Sequence, residues 1–402
     1  MKKDFSEKNK KIKEAMKATH TRRQVQACRV FTLKINQKKL SLKQREALKM
    51  IFVEGKWLRN AIIAWTKESE DNKPWEYDGN LKSVPVKLRD GSYEQRELRY
   101  LAMQMRQSVL AEVIHNIKGL SAAKKKGRKV GALRFTSELK SLNLKQFGMS
   151  HKFKSKHRMK LRNIPGTVYV SGVGQIPGGC EIANAKLLNT PRGYYIAITC
   201  FIDKEIVEQK EMHYEIQGEI GIDMGRTTSV TLSTGEKINV QIEETGHLKR
   251  LQMKLARQTK GSNNWKKTKH LIEKEYQKLK AKRNDAGNKL VHDLLRYERI
   301  YMQDENLRDW HNKKVQNSCL GRVKAKLSGH PRVVMLPRTA ATTKTCVCGY
   351  KQPMHLWDRT FRCEVCGYTD DRDIHAAKNM IRLGHQYQVG LGRTDFKLVE
   401  KE

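Results

Sequence analysis

Glu219-Ile220-Gly221-Ile222-Asp223-Met224-Gly225, followed by Ser229-Val230-Thr231-Leu232-Ser233-Thr234-Gly235-Glu236-Lys237-Ile238, reads as a strand, a turn and a second strand with a polar hairpin tip. Asp223 sits mid-strand between apolar Ile222 and Met224. An ionised carboxylate there is costly unless it is paired or metal-bound. The competing role is a turn former at the strand end, which Gly225 supports.

Downstream, a long basic helical region is expected from about 247 to 297, broken at Gly261-Ser262-Asn263-Asn264. Ile300 to Leu307 reads as a short strand ending in acids, Asp304 and Glu305. Val315, Cys319, Leu320, Val323 and Leu327 mark another helix, and Val333-Val334-Met335-Leu336 is a buried-strand run. Asp371-Arg372-Asp373-Ile374-His375-Ala376-Ala377 opens an alanine-rich helix, with a loose tail expected beyond about Gly384. Strand hairpin, helix, strand, helix, strand and final helix is the order of a ribonuclease-H-like α/β layer. Acids at strand ends and on one helix converge in such a layer. Phosphodiester hydrolysis uses that convergence to hold two Mg²⁺ ions roughly 4 Å apart on hard oxygen ligands. Asp304 competes with Glu305 for the second ligand. Asp371 can serve as a plain N-cap, with Asp373 below it favouring the helix dipole.

Two thiol pairs precede that last helix, Cys346-Val347-Cys348-Gly349 and Cys363-Glu364-Val365-Cys366-Gly367. Four thiolates in a closed tetrahedron suit structural zinc. The second pair has knuckle spacing, the first is one residue shorter, and His355 is a candidate substitute ligand. Gly349 and Gly367 follow each pair, where a knuckle turn calls for glycine. Cys28, Cys180, Cys200 and Cys319 are scattered and read as reduced packing residues.

The chain has 402 residues, with 81 Lys plus Arg against 42 Asp plus Glu, a formal charge of +39. Such an excess disfavours a free metabolic enzyme and points to a polyanion partner, nucleic acid above all. No apolar run has spanning length, so a membrane is not expected as partner, and the N-terminus lacks a secretory pattern. Residence in a prokaryotic cytoplasm, at the nucleoid when DNA-bound, is the expectation.

The first half carries the charge. Residues 1–24 read as a basic arm that orders on a partner. Val25 to Ile35 reads as a strand. Ser41 and Gln44 form a capping-box pattern ahead of Leu48, Ile51, Phe52, Leu58, Ile62 and Trp65. Ser92 and Gln95 repeat the signal ahead of Leu98, Leu101, Met105, Val109, Val113 and Ile117, a helix expected to end near Gly119. The loop with Lys124, Lys125, Lys126 and Arg128 reads as a phosphate clamp. From about 130 to 215 the pattern is β. Within it Lys152, Lys154, Lys156 and Arg158 face both ways, a poor core strand but a good backbone-binding one.

At these residues the chain resembles TnpB, the transposon-encoded RNA-guided nuclease family, and the miniature type V CRISPR effectors related to it. Gly221 to Gly225 is similar to the family's first RuvC motif, Glu305-Asn306-Leu307 to the second, and Asp373 to Asn379 to the third. Leu255 to Ser262, with Arg257 and Lys260, is similar to a basic segment of the bridging helix, and Thr343 to Tyr368 to the zinc ribbon. The resemblance implies Asp223, Glu305 (rather than Asp304) and Asp373 (rather than Asp371) as ligands of two Mg²⁺, and Cys346, Cys348, Cys363 and Cys366 as ligands of one structural Zn²⁺.

It also implies an architecture: basic arm 1–24, wedge β-barrel 25–40 and 121–215, and helical recognition domain 41–120. The RuvC nuclease would take 216–342 and 369–384, a zinc ribbon that binds target nucleic acid 343–368, and a flexible tail 385–402. The implied activity is RNA-guided DNA endonuclease, with guide RNA and a double-stranded DNA target bearing a short flanking motif as partners. Arg226, Arg338 and Arg372 are candidate DNA contacts. The sequence departs from the family at the shortened first thiol pair, at His375 where the family usually has Asn, and in a short stretch from Asn306 to Arg332. A guided repressor without cleavage is the rival function. A zinc-ribbon RNA-binding protein with no DNA target is a third.

Overall fold

The computed structural model describes residues 6–69, 71–88, 90–206, 216–355 and 357–391. The chain divides into two units, Met1–Glu208 and Gln209–Glu402.

Seven antiparallel strands dominate the first unit. They are β1 (Gln26–Ile35), β4 (Ser141–Leu144), β5 (His151–Ser155), β6 (Arg158–Leu161), β7 (Val168–Ser171), β8 (Glu181–Thr190) and β9 (Gly193–Asp203), in the order β4-β8-β9-β1-β7-β6-β5. The sheet is nearly closed and barrel-like. Inward positions such as Leu33, Ile35, Val170, Leu187, Ile196 and Ile198 form its core.

The basic arm differs from expectation: Ser6–Gln24 is a helix, α1. The segment has no Gly or Pro and is rich in Lys, Glu and Ala, strong helix formers. Arg23 anchors its end, bonding Glu181 at 2.6 Å and lying over the Phe201 ring. Residues 1–5 of the expected arm lie outside the described residues.

Helix α2 (Leu42–Glu68) starts on the predicted capping box. Ser41 Oγ accepts from the Gln44 N–H at 3.2 Å, and Gln44 Oε1 accepts from the Ser41 N–H at 3.1 Å. Leu48, Ile51, Phe52, Leu58 and Ile62 of its apolar stripe are buried as expected, and Trp65 is half-buried. The second helix differs. Tyr93–Glu97 is strand β3, paired with β2 (Ser83–Lys87), and helix α3 runs Met103–Lys125. Asp90-Gly91, with Gly91 at φ 93°, is a hairpin signal that outweighs the capping pattern at Ser92. Gly119 faces solvent inside α3, where a glycine costs only about 1 kcal/mol and need not stop a helix. Lys124, Lys125, Lys126 and Arg128 are exposed at its C-terminal end.

The His151–Lys160 stretch is a hairpin, β5 with β6, and its basic residues do not face both ways. Lys152, Lys154, Lys156 and Arg158 are exposed, while His151, Met159 and Leu161 are buried between them. Of the scattered thiols, Cys200 and Cys319 are buried as expected, whereas Cys28 is exposed.

In the second unit β10 (Gln217–Met224), β11 (Val230–Leu232) and β12 (Lys237–Ile238) form an antiparallel meander. β13 (Tyr297–Gln303) and β14 (Val333–Leu336) add in parallel, giving the order β12-β11-β10-β13-β14. The basic helical region breaks where expected, into α4 (Gly246–Ala256) and α5 (Asn263–Leu294), with Ser262 as N-cap of α5. After β13 come α6 (Lys313–Gln316) and α7 (Leu320–Leu327). A hairpin of β15 (Thr360–Arg362) and β16 (Thr369–Asp371) leads into α8 (Arg372–Leu391). The expected tail therefore begins as helix, and residues 392–402 lie outside the described ones.

Strand alternation sorts β10 into two faces. Ile220, Ile222 and Met224 pack with Leu290, Leu294, Val323 and Leu327 of α5 and α7. Glu219, Gly221 and Asp223 face the other way, toward α8. Among the described residues no helix is long and apolar enough to cross a membrane.

Candidate functional site

Helix α8 lies directly on β10. A β-carbon on Gly221 would overlap the Ala377 carbonyl oxygen, so only glycine lets the backbones meet. Gly384 makes the same close approach to the Tyr301 ring on β13. Below it, Tyr301 Oη donates to Glu219 at 2.8 Å and His385 Nε2 meets the other Glu219 oxygen at 2.6 Å. The helix thus runs opposite to the strand. Two residues along β10 from Gly221 cover ~7 Å and reach Asp223. One turn back along α8 from Ala377 covers ~6 Å and reaches Asp373. The two acids meet at the same end of the layer.

Asp223 registers this company. Burial pushes its carboxyl up to about 8, the Asp373 carboxylate pushes the same way, Arg372 opposes and Glu305 adds to the rise. Glu305 lies just past β13, which runs parallel to β10 in the register Ile222↔Met302. Three acids from β10, the end of β13 and the first turn of α8 therefore share one electrostatic neighbourhood.

The neighbouring acids have other partners. Lys324 of α7 pairs with Asp304 and also donates to the Glu305 carbonyl oxygen, which pins the strand end. Asp371 accepts from the Asp373 and Ile374 N–H groups at 3.0 and 3.2 Å, an N-cap, and holds Lys237 at 2.8 Å. Burial opposes ionisation of Asp371, but the Lys237 ammonium and those N–H groups hold its carboxyl below the ordinary value. Asp370 is taken by Lys378 and the Tyr368 hydroxyl.

The four clustered thiols converge, with sulfur atoms all within 4.8 Å of one another. Cys346 and Cys366 sulfurs are 3.5 Å apart, Cys348 and Cys363 3.7 Å. With metal–sulfur bonds near 2.3 Å, a tetrahedron has edges of about 3.8 Å, so the set can hold a metal ion such as zinc. Gly349 and Gly367 have φ of 92° and 72°, which lets both knuckles turn. N–H groups of Cys366 and Val365 aimed at Cys363 draw its thiol down to about 6, while burial pushes Cys346 up to about 12. The short first pair closes without His355, whose ring instead stacks on Trp357 at 4.6 Å. Among the described residues these sulfurs are the one group of His, Cys, Asp and Glu ligand atoms gathered this tightly. The three carboxylates are spread more widely.

His375 is turned from the carboxylates to the ribbon. It stacks on Phe361 at 3.8 Å between centroids, and its Nε2 lies 3.0 Å from the Thr345 carbonyl oxygen. Asn379, one turn on, donates to the Thr342 and Thr345 carbonyls at 2.7 and 2.6 Å. Burial holds the His375 ring below its ordinary pKa. One face of α8 therefore meets the sheet and another grips the backbone beside Cys346. Neither this grip nor the Lys324 clamp was legible in sequence. The only signals are the i, i+4 spacing of His375 and Asn379 and a basic residue on α7.

The basic candidates divide between the units. Arg226, Arg257 and Lys260 are exposed in the second unit. Arg338 pairs with Asp309 at 3.1 Å. Arg372 donates to the His355 and Asp358 carbonyls, both at 3.2 Å, tying the ribbon loop to the start of α8. Lys124 to Arg128 and Lys152 to Arg158 belong to the first unit.

Comparison with known proteins matches residues 204–301 to a family described as "Probable transposase" and residues 322–380 to one described as "Cas12f1-like, TNB domain". A Streptomyces pristinaespiralis protein named "Putative RNA-guided DNA endonuclease" is 30% identical over 187 residues, covering 41% of this chain and 45% of the relative. An Escherichia coli (strain K12) protein named "Putative RNA-guided DNA endonuclease InsQ" is 26% identical over 196 residues, covering 41% of this chain and 49% of the relative. The chain spans about half the length of these curated relatives. The likeness to the TnpB family read from the sequence is borne out by these matches.

Proposed function

We propose that this chain is a Mg²⁺-dependent, RNA-guided DNA endonuclease with a ribonuclease-H-like RuvC site. The observation that carries the reading is the meeting of Asp223 and Asp373 across the Gly221–Ala377 contact, with Glu305 beside them. Burial and the neighbouring Asp373 and Glu305 raise the Asp223 carboxyl, with Arg372 opposing, and a divalent cation pair would fit that concentration of negative charge. The strand order β12-β11-β10-β13-β14, a meander followed by two parallel strands, supports the same fold. Bound metal ions at such a site activate water and stabilise the leaving oxygen.

The chain's own residues would do the rest. Asp223, Glu305 and Asp373 would hold the metals, with Glu305 positioned by the Lys324 clamp on its carbonyl. Cys346, Cys348, Cys363 and Cys366 would hold one structural Zn²⁺, keeping the ribbon on α8 through His375 and Asn379. Arg226, Arg338 and Arg372 would contact the DNA strand. Lys124, Lys125, Lys126, Arg128, Lys152, Lys154, Lys156, Arg158, Arg257 and Lys260 would contact phosphates of guide RNA or of its pairing with target. Base pairing would choose the target, while protein reads backbone and a short flanking motif. Domain assignments follow the sequence expectation: wedge barrel and recognition helices in the first unit, nuclease and ribbon in the second. Such a protein would work in the cytoplasm.

The guided-repressor alternative drew its support from His375. That residue turns to the ribbon, stacking on Phe361 and meeting the Thr345 carbonyl, which favours the cleaving reading. The test is to express the chain with its native flanking DNA, sequence the co-purified RNA, and offer a matched duplex with Mg²⁺. A defined RNA with a variable end and metal-dependent cutting is expected. A heterogeneous RNA pool, or no product at any metal concentration, contradicts the proposal.

A further inference from the structure

We propose that a cavity in the first unit binds one unstacked nucleotide of RNA. The proposal rests on the RNA-associated part of the function above but concerns residues far in sequence from the acids. The cavity, about 290 Å³ and open to solvent on one side, is bounded by α2, the β2–β3 hairpin and the segment at 135–137. That is near the lower end of the size range of small-molecule sites.

Three aromatic rings, Trp57, Tyr93 and Phe135, line it. Tyr93 is 63% exposed and Phe135 55%, so much of both rings is left in water. The cavity is formed in advance. Asn60 donates to the Thr136 carbonyl and accepts from the Thr136 N–H, both at 2.9 Å, which fixes the backbone that carries Phe135.

Charge selects among ligands. Lys56 and Lys87 line the cavity, and no Asp or Glu does. Lys67 Nζ lies 4.8 Å from the Phe135 centroid and Lys87 Nζ 5.9 Å from that of Tyr93. Arg96 over Trp57 is already neutralised by Glu94 at 2.7 Å. Inorganic phosphate would satisfy the lysines and leave the rings wet. A neutral apolar molecule would satisfy the rings and leave the lysines without a counter-charge. An aromatic base joined to a phosphate satisfies both. Duplex DNA keeps its bases stacked and paired, whereas folded RNA presents them in loops and ends. Ser137 also lines the cavity, and its hydroxyl is of the right chemistry to partner a ribose 2′-hydroxyl.

The test uses the full chain freed of nucleic acid, an unstructured eight-nucleotide oligoadenylate RNA and its DNA counterpart, with Kd measured over a range of salt. The double variant Tyr93→Ala/Phe135→Ala is expected to weaken RNA binding about tenfold or more, as loss of base stacking does, with the salt slope unchanged. Lys56→Gln and Lys87→Gln are each expected to lower the slope by about one. Tyr93→Leu/Phe135→Leu keeps apolar bulk without the π face, and should lose affinity likewise even if the alanine variant loosens the hairpin. If wild type binds RNA and the leucine variant, folded by thermal melt, binds equally well, this inference is overturned and the endonuclease reading stands. If wild type binds DNA as tightly as RNA with the same ring dependence, the assignment to RNA is overturned. If wild type does not bind the oligoadenylate, this inference is overturned, while the RNA-guided reading still answers to the co-purified RNA.

Discussion

Gly221 and Ala377 touch backbone to backbone: the Ala377 carbonyl oxygen occupies the place where a side chain at 221 would begin. That contact sets how close α8 lies to β10, and so how close Asp373 comes to Asp223. The spacing of glycine and Asp on this strand thus has a mechanical explanation, because the glycine two residues before the acid admits the helix that brings its partner.

Gly221→Ala is therefore expected to do more than fill space. Overpacking a tight contact costs about 1–3 kcal/mol, and a lifted α8 separates the two acids. Denaturant unfolding should show the loss. The surviving folded fraction should cut poorly while binding RNA normally. A variant with unchanged stability and cutting would show that the helix has slack at this point.

The raised Asp223 carboxyl gives a pH dependence with a definite sign. In the metal-free protein the folded state holds a proton up to about 8, whereas the unfolded chain releases it near 4. The resulting stabilisation is complete below about pH 4 and is lost as pH rises through about 8. Metal-free wild type should lose stability across that window, Asp223→Asn should lose less, and added Mg²⁺ should restore the wild type at neutral pH. Denaturation midpoints taken at several pH values check this. Parallel curves for the two proteins would contradict it.

The thiol cluster makes a prediction independent of cutting. Purified protein should contain about one zinc per chain by elemental analysis. Cys348→Ser should retain far less, even though Cys348 belongs to the shortened pair. Because His375 and Asn379 hold the backbone beside Cys346, zinc loss should also increase hydrogen exchange at the start of α8. Full zinc content in Cys348→Ser would mean that another ligand completes the site.

Legibility in the sequence followed the physics of each element. The β10 strand, the break at Gly261, β14 and the Ser41 capping box were readable because each depends on local pattern. Local readings failed where two signals competed. Ser92 and Gln95 looked like a helix start, but Asp90-Gly91 made a hairpin. Lys152 to Arg158 looked two-faced, until the turn near His157 put the basic side chains on exposed positions of two strands. For the site, the acids were visible as residue types, but no spacing rule could choose Asp373 over Asp371 or Glu305 over Asp304. The TnpB resemblance preferred Asp373 and Glu305, and the long-range partners are consistent with that proposal: Lys237 and the helix N–H groups occupy Asp371, and Lys324 pairs with Asp304. The two-way role of α8, welded to a sheet on one face and gripping a ribbon on another, has no local signature at all.

Cleavage of a matched duplex by the RNA-bound protein, compared among Asp223→Ala, Glu305→Ala and Asp373→Ala with guide RNA affinity measured alongside, tests the shared carboxylate site most directly. Each substitution should reduce Mg²⁺-dependent cutting by about a hundredfold or more while leaving RNA affinity near wild type. Substantial cutting by any one of the three would contradict the assignment of that acid, and by Asp223→Ala the account of the site as a whole.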